Sequence, residues 1–184
     1  EGYSNTAVGA FALVNNTLGN DNVAVGRTSL EHNTTGNSNT AIGSYALDNN
    51  TSGNGNSAIG FRALRLNNTG NNNSALGDSA LYSNTGGFSN VAIGSKALKS
   101  NTTLSNLVAI GDSALFNAGF GSSGFGKYNT AVGSKALLTV SASDLNTAIG
   151  YNALRQTNGA GNTAIGAYAG PYAGPYGGPG AYWG

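Results

Sequence analysis

The chain has 184 residues and a net charge of +1, with 8% of its residues charged and 30 of them glycine. So weak a charge excludes electrostatic attraction to nucleic acid or an anionic membrane, and the absence of cysteine excludes disulfides and thiolate chemistry. No apolar run approaches the length of a membrane span, and with no methionine even at position 1 the chain reads as a processed product or a piece of a longer protein.

In chain order, one motif recurs. "NTAVG" ends at Gly9, "NVAVG" at Gly26, "NTAIG" at Gly43, "NSAIG" at Gly60, "NSALG" at Gly77, "NVAIG" at Gly94 and "LVAIG" at Gly111. "NTAVG" follows at Gly133, then "NTAIG" at Gly150 and Gly166. The spacing is 17 residues six times, then 22, 17 and 16. Four residues after each glycine stands a leucine, from Leu13 to Leu154, and Gly170 replaces it in the last copy. Glycine and Asn/Thr runs break any helical period. Each repeat therefore predicts one coil of a β-solenoid: a short strand such as Thr40–Ile42, a tight corner, a second short strand carrying Ala46 and Leu47, and a polar return loop.

Strand residues alternate between faces, so Thr40 and Ile42 share one face and Ala41 takes the other. Stacking predicts an apolar interior in which the Val/Ile column meets the Leu column. The opposite face would then be Ala7, Ala24, Ala41, Ala58, Ala75, Ala92, Ala109, Ala131, Ala148 and Ala164. Unvarying alanine on an outer face points to close approach by another surface, so several copies are expected to pack through it. Asn22, Asn39, Asn56, Asn73 and Asn90 form one column and Asn16, Asn33, Asn50, Asn67, Asn84 and Asn101 another, as expected of amide ladders between coils. Coil spacing of about 4.8 Å gives a rod roughly 45–50 Å long.

The repeat breaks twice. An insertion at residues 116–128 presents Phe120, Phe125 and Tyr128 on a glycine-rich loop. After the repeat domain, residues 1–170, the tail 171–184 holds all three prolines with Tyr172, Tyr176, Tyr182 and Trp183. Its four-residue beat of Pro and Gly predicts turns or polyproline II and a terminating cap. Because regular scaffold says little about ligand, these seven aromatics are the candidate ligand-binding residues, with sugar faces as suitable partners.

"SNTAIGSYAL" and "NSAIGFRAL" resemble the YadA-type head repeats of trimeric autotransporter adhesins, and still more the "NTAIG…AL…NTTG" arrays of phage tail fibres and related bacterial surface fibres. The resemblance covers residues 4–170. It implies a left-handed parallel β-roll, assembled as a homotrimer and displayed outside the cell or virion, with the alanine column as the trimer interface. The YadA-type head commonly has a shorter coil, followed by a neck and heptad stalk. Neither follows here, and no self-cleaving chaperone of the tail-fibre kind is visible.

Catalytic chemistry finds little footing. His32 is the single histidine, and without cysteine a zinc site is short of ligands. Asp78 and Asp112 lie two coils apart, about 9.6 Å, and no base recurs beside a serine. "GAGNTAIG" and "GFGSSGFG" lack the context of a phosphate loop. Neither an enzyme nor a cofactor is expected. Asn-x-Ser/Thr triplets at Asn15, Asn33, Asn67 and Asn101 favour a bacterial or viral source. The function expected is a non-enzymatic adhesin or fibre segment that attaches to a cell-surface glycan or protein receptor. Nucleic-acid binding and membrane insertion are not expected. The alternatives are a passive spacer rod, or an ice-binding solenoid using the Thr17, Thr34, Thr51, Thr85 and Thr102 column.

Overall fold

The computed structural model describes residues 2–118, 126–140 and 143–170. Among them there is no helix. Ten three-residue strands stack in parallel: β1 (Thr6–Val8), β2 (Val23–Val25), β3 (Thr40–Ile42), β4 (Ser57–Ile59), β5 (Ser74–Leu76), β6 (Val91–Ile93), β7 (Val108–Ile110), β9 (Thr130–Val132), β11 (Thr147–Ile149) and β13 (Thr163–Ile165). Each repeat supplies one strand, and pairing holds the repeat in register, Ala41 opposite Ala58 and Ile42 opposite Ile59. The fold is an all-β parallel solenoid.

The two faces of that sheet are the reverse of the sequence expectation. Ala24, Ala41, Ala58, Ala92, Ala109, Ala131 and Ala148 have no exposed surface, and Ala75 and Ala164 little. The Val/Ile/Leu column faces outward: Val8 is 58% exposed, Ile42 39%, Leu76 47% and Ile149 38%. Apart from Ala7, on the uncovered first strand, the alanine column therefore has no surface to offer another chain. The cause is the width of the coil. Two alanines, one leucine and two asparagine amides per turn already fill it, and close packing leaves no room for a further β-branched side chain.

The Ala-Leu segment is not a second strand. Its backbone turns, with the second and fourth residues after the glycine both left-handed, Tyr45 at φ 61° and Leu47 at φ 49°. The turn is still bonded to both neighbours: Tyr45 N–H donates to Arg27 O at 3.0 Å and Leu47 N–H to Ala63 O at 3.0 Å. A left-handed L-residue costs about 1–2 kcal/mol, which burying a leucine, worth about 1.5–3 kcal/mol, offsets. β-branched residues tolerate that region worst. Leucine therefore holds the turn while valine and isoleucine hold the strand.

The corner glycine is required twice over. Gly43 has φ +133°, and a Cβ there would lie 2.5 Å from Gly60 O and 2.7 Å from Gly60 C. Only a bare Cα lets successive coils stack at this point. The asparagine columns form the expected ladders. Asn56 Nδ2 donates to Asn39 Oδ1 at 3.1 Å and to Gly70 O at 2.8 Å, and Asn67 Nδ2 donates to Asn50 Oδ1 at 2.8 Å. At the seventh coil Leu104 and Leu107 replace the glycine and asparagine, and Leu107 N–H still donates to Asn90 Oδ1 at 3.0 Å.

Later coils exchange part of the polar loop for a second, three-stranded sheet of β8 (Asn117–Ala118), β10 (Thr139–Val140) and β12 (Gln156–Thr157). Asn117 pairs with Thr139 and Ala118 with Val140, so these two residues of the 116–128 segment belong to the regular coil. Gly126 and Lys127 rejoin it through backbone N–H groups on Asp144 Oδ1, at 2.5 and 2.8 Å.

Candidate ligand-binding face

Seven of the eight Lys/Arg residues occupy three positions of the repeat, the first, second and fifth after the corner glycine. These are Arg27 at the first, Arg62, Lys96 and Lys135 at the second, and Arg65, Lys99 and Arg155 at the fifth. Of the ten aromatics among the described residues, Phe11, Tyr45, Phe61, Tyr82, Phe116, Tyr151 and Tyr168 fall in the same three columns. Stacking brings those columns onto one edge of the rod. Glu31, Asp48, Asp78 and Asp112 share it, leaving the edge a surplus of three positive charges.

Side-chain contacts confirm that the columns meet. Tyr45 and Phe61 pack edge to face, ring centres 6.1 Å apart. The guanidinium carbons of Arg65, Arg27 and Arg62 lie 5.2, 5.4 and 5.9 Å from the Tyr45 ring centre, and Arg62 lies 4.6 Å from that of Phe61. All are within cation–π reach. Further along, Lys99 lies over Phe116 at 5.7 Å, and Tyr151 and Tyr168 pack edge to face at 5.3 Å.

Arg65 of the first cluster, half-buried, also forms an ion pair with the buried Asp48. Arg65 Nε donates to Asp48 Oδ2 at 3.2 Å and Nη1 to Tyr82 Oη at 3.2 Å. Burial acts to lower the Arg65 guanidinium pKa, but the bonds to Tyr82 and Asp48 outweigh it and hold it above its ordinary value. Arg65 is thus a permanent cation. Asp48 Oδ1 takes no hydrogen bond, with His32 Nδ1 3.3 Å away. Glu31, His32 and Asp48 place one ligand atom each within 4.8 Å of one another and could hold a metal ion. The shortage of zinc ligands inferred from the lone histidine overlooked these two carboxylates, one on the adjacent coil. Asp48 is shared between this group and Arg65.

Of the residues singled out in the sequence for ligand binding, Phe120, Phe125, Tyr172, Tyr176, Tyr182 and Trp183 lie outside the described residues. Tyr128 is 56% exposed and left-handed at φ 58°. It immediately precedes Asn129, the coil position held elsewhere by Asp21 and Ser38, and does not join the aromatic edge. The corner-edge residues were missed, because the cations read as scattered surface charges. Numbering each from its motif glycine reveals the columns. The threonine column is exposed or half-buried and its hydroxyls bond along the stack: Thr17 Oγ1 donates to Thr34 O at 2.9 Å and Thr34 Oγ1 to Thr51 O at 2.9 Å. Among the described residues no helix is long and apolar enough to cross a membrane. Comparison with protein-family models, curated proteins and solved structures yields no match to this chain, so the candidate face stands on its own chemistry.

Proposed function

We propose that the chain is a non-enzymatic segment of an extracellular attachment fibre, carried on a bacterial surface or a phage tail, that binds a cell-surface glycan or protein through its corner edge. The observation that carries this is the gathering of seven cations and seven aromatics onto one edge of the rod, apart from the exposed Val/Ile/Leu stripe and from the return loops rich in Asn, Ser, Thr and Gly. A passive spacer has no use for such segregation. Aromatic rings suit the C–H faces of sugars, and guanidinium groups suit their anionic substituents.

The fibre is proposed to be a homotrimer, joined through the Val/Ile/Leu stripe and not through the alanines. Val8, Ile42, Ile59, Leu76, Ile93, Ile110, Ile149 and Ile165 are exposed in consecutive or nearly consecutive coils. A contiguous apolar stripe of that length marks an association surface. Left-handed winding belongs to the same proposal, as does a capping role for residues 171–184. What supports a cap at that end is that, among the described residues, β13 pairs only with β11 and Ile165 is 69% exposed.

The test is binding of the fluorescently labelled full chain to a panel of intact bacterial cells, alongside sedimentation velocity. Saturable binding to some strains by a species of three chains supports the proposal. Absence of binding to every strain, or a stable monomer, contradicts it.

A further inference from the structure

Glu31, His32 and Asp48 meet because of their places in the repeat. Glu31 is the fifth residue after Gly26 and Asp48 the fifth after Gly43, so stacking sets one carboxylate over the other in neighbouring coils, with His32 beside Glu31. Backbone bonding fixes the pairing, His32 N–H donating to Asp48 O at 3.0 Å. Like charges stacked directly on one another are unfavourable, and Arg65, next in the same column, relieves only one side of the stack. Its Nε takes Asp48 Oδ2 at 3.2 Å. The other oxygen, Oδ1, is buried without a hydrogen-bond partner in a residue only 5% exposed, and it lies 3.3 Å from His32 Nδ1. Leaving such an oxygen unpartnered is costly, and this one is turned toward an imidazole nitrogen. His32 Nδ1 also lies 3.2 Å from Asp48 O, so the ring is held over Asp48 whichever nitrogen carries its proton.

We infer that Glu31, His32 and Asp48 bind a divalent transition-metal ion of the Zn²⁺ class, which clips two neighbouring coils together. His32 supplies Nδ1, with its proton on Nε2, and Glu31 and Asp48 supply one carboxylate oxygen each. Metal bonds of about 2.0–2.2 Å at the tetrahedral angle set two ligand atoms about 3.3–3.5 Å apart. His32 Nδ1 and Asp48 Oδ1 already stand at 3.3 Å, and one ligand atom from each of the three residues lies within 4.8 Å of the others. Glu31 is half-buried and His32 exposed, so rotation of the Glu31 side chain completes the set and the ion enters from solvent. Arg65 keeps Oδ2 and thereby orients Oδ1, as hydrogen-bonded partners orient ligating carboxylates generally. The imidazole nitrogen selects Zn²⁺ over Mg²⁺ and Ca²⁺, which are held by oxygen ligands. Three protein ligands leave a fourth position to water.

The full-length chain is titrated by calorimetry with ZnCl₂ and, separately, with MgCl₂ and CaCl₂. The expected result is one Zn²⁺ per chain with a Kd of about 10 µM or tighter, and Mg²⁺ and Ca²⁺ at least about a hundredfold weaker. Because His32 is the single histidine, its ring signals in the nuclear magnetic resonance spectrum report on the site directly, and Zn²⁺ should shift them. His32→Asn installs the residue that the same loop position holds at Asn15 and Asn49. It should abolish Zn²⁺ binding while keeping the wild-type melting temperature in the absence of metal. Glu31→Gln, at a half-buried position, should weaken Zn²⁺ about tenfold or more. Saturating Zn²⁺ should raise the melting temperature of the wild-type chain and not that of His32→Asn. Absence of saturable Zn²⁺ binding, undiminished binding by either variant, an unshifted His32 ring, or Mg²⁺ or Ca²⁺ binding as tightly as Zn²⁺ overturns the inference.

Discussion

Leu64 and Ile59 stand five residues apart in one coil and face opposite ways: Leu64 is fully buried, while Ile59 keeps 40% of its surface exposed. Leu64 has φ 50°, whereas Ile59 ends the extended strand β4. Two aliphatic side chains of equal carbon count are thus assigned to opposite sides by backbone conformation, not by hydrophobicity. Exchanging their branching should expose this. Leu64→Ile is expected to destabilise the fold by about 2 kcal/mol or more, because a β-branched residue is forced into the left-handed region. Ile59→Leu should change stability by less than about 1 kcal/mol, since Leu76 already occupies that column. Urea unfolding followed by circular dichroism distinguishes them.

Gly60 tests the corner. It has φ +136°, and a Cβ would lie 2.5 Å from Gly77 O and 2.7 Å from Gly77 C. Gly60→Ala adds both left-handed strain and a clash with backbone that cannot move without parting two coils. The expected loss is on the order of 3 kcal/mol or more, seen as a large fall in midpoint or as failure to fold. A melt indistinguishable from wild type would show that the coils are not spaced as described.

The ladders should differ by depth. Asn56 is buried, and its amide serves Asn39, Gly70 and Asn73 at once. Asn56→Ala strands several of these groups away from water, at about 2–5 kcal/mol in total. Asn54 is exposed, although it bonds in the same way to Asn37 and Asn71. Water can replace its partners, so Asn54→Ala should cost less than about 1 kcal/mol. Equal costs at the two sites would argue against a buried amide ladder.

The stripe of outward aliphatics offers a separable test of assembly. Ile59→Lys with Ile93→Lys places charge on two exposed positions, 40% and 38% accessible in a single chain. The solenoid of each chain should survive, because neither side chain contributes to its interior. The proposed trimer should not, because burying two unpaired ammonium groups in each of three chains costs several kcal/mol per ion. Sedimentation velocity should report monomers with an unchanged far-ultraviolet spectrum. Persistence of the trimer would move the interface elsewhere.

Much of the fold was legible in the residues. The period, the parallel stacking, the register and the two asparagine ladders follow from spacing alone. Which face of the strand turns inward did not follow, because alternation in a strand such as Thr40–Ile42 sets Ala41 against Thr40 and Ile42 without saying which face is inside. Hydrophobicity then pointed to isoleucine as the interior residue, while coil width selects alanine. The leucine turn read as a strand for a related reason: a short apolar pair carries no mark of its φ angles. The corner edge was legible in principle. Arg62 and Arg65 look like neighbours on a solvated loop until each is numbered from Gly60, when they align with Lys96 and Lys99 numbered from Gly94.

Attachment through the corner edge is tested most directly by cell binding of three full-length chains. One is wild type, one carries Arg27→Gln, Arg62→Gln and Lys135→Gln, and one carries Tyr172→Ala, Tyr176→Ala, Tyr182→Ala and Trp183→Ala. The edge variant, with three of its seven cations removed, should lose at least about tenfold in affinity for the bound strain while keeping the wild-type melting temperature, and the tail variant should bind as wild type does. Undiminished binding by the edge variant, with binding lost in the tail variant, would contradict the assignment and return recognition to residues 171–184.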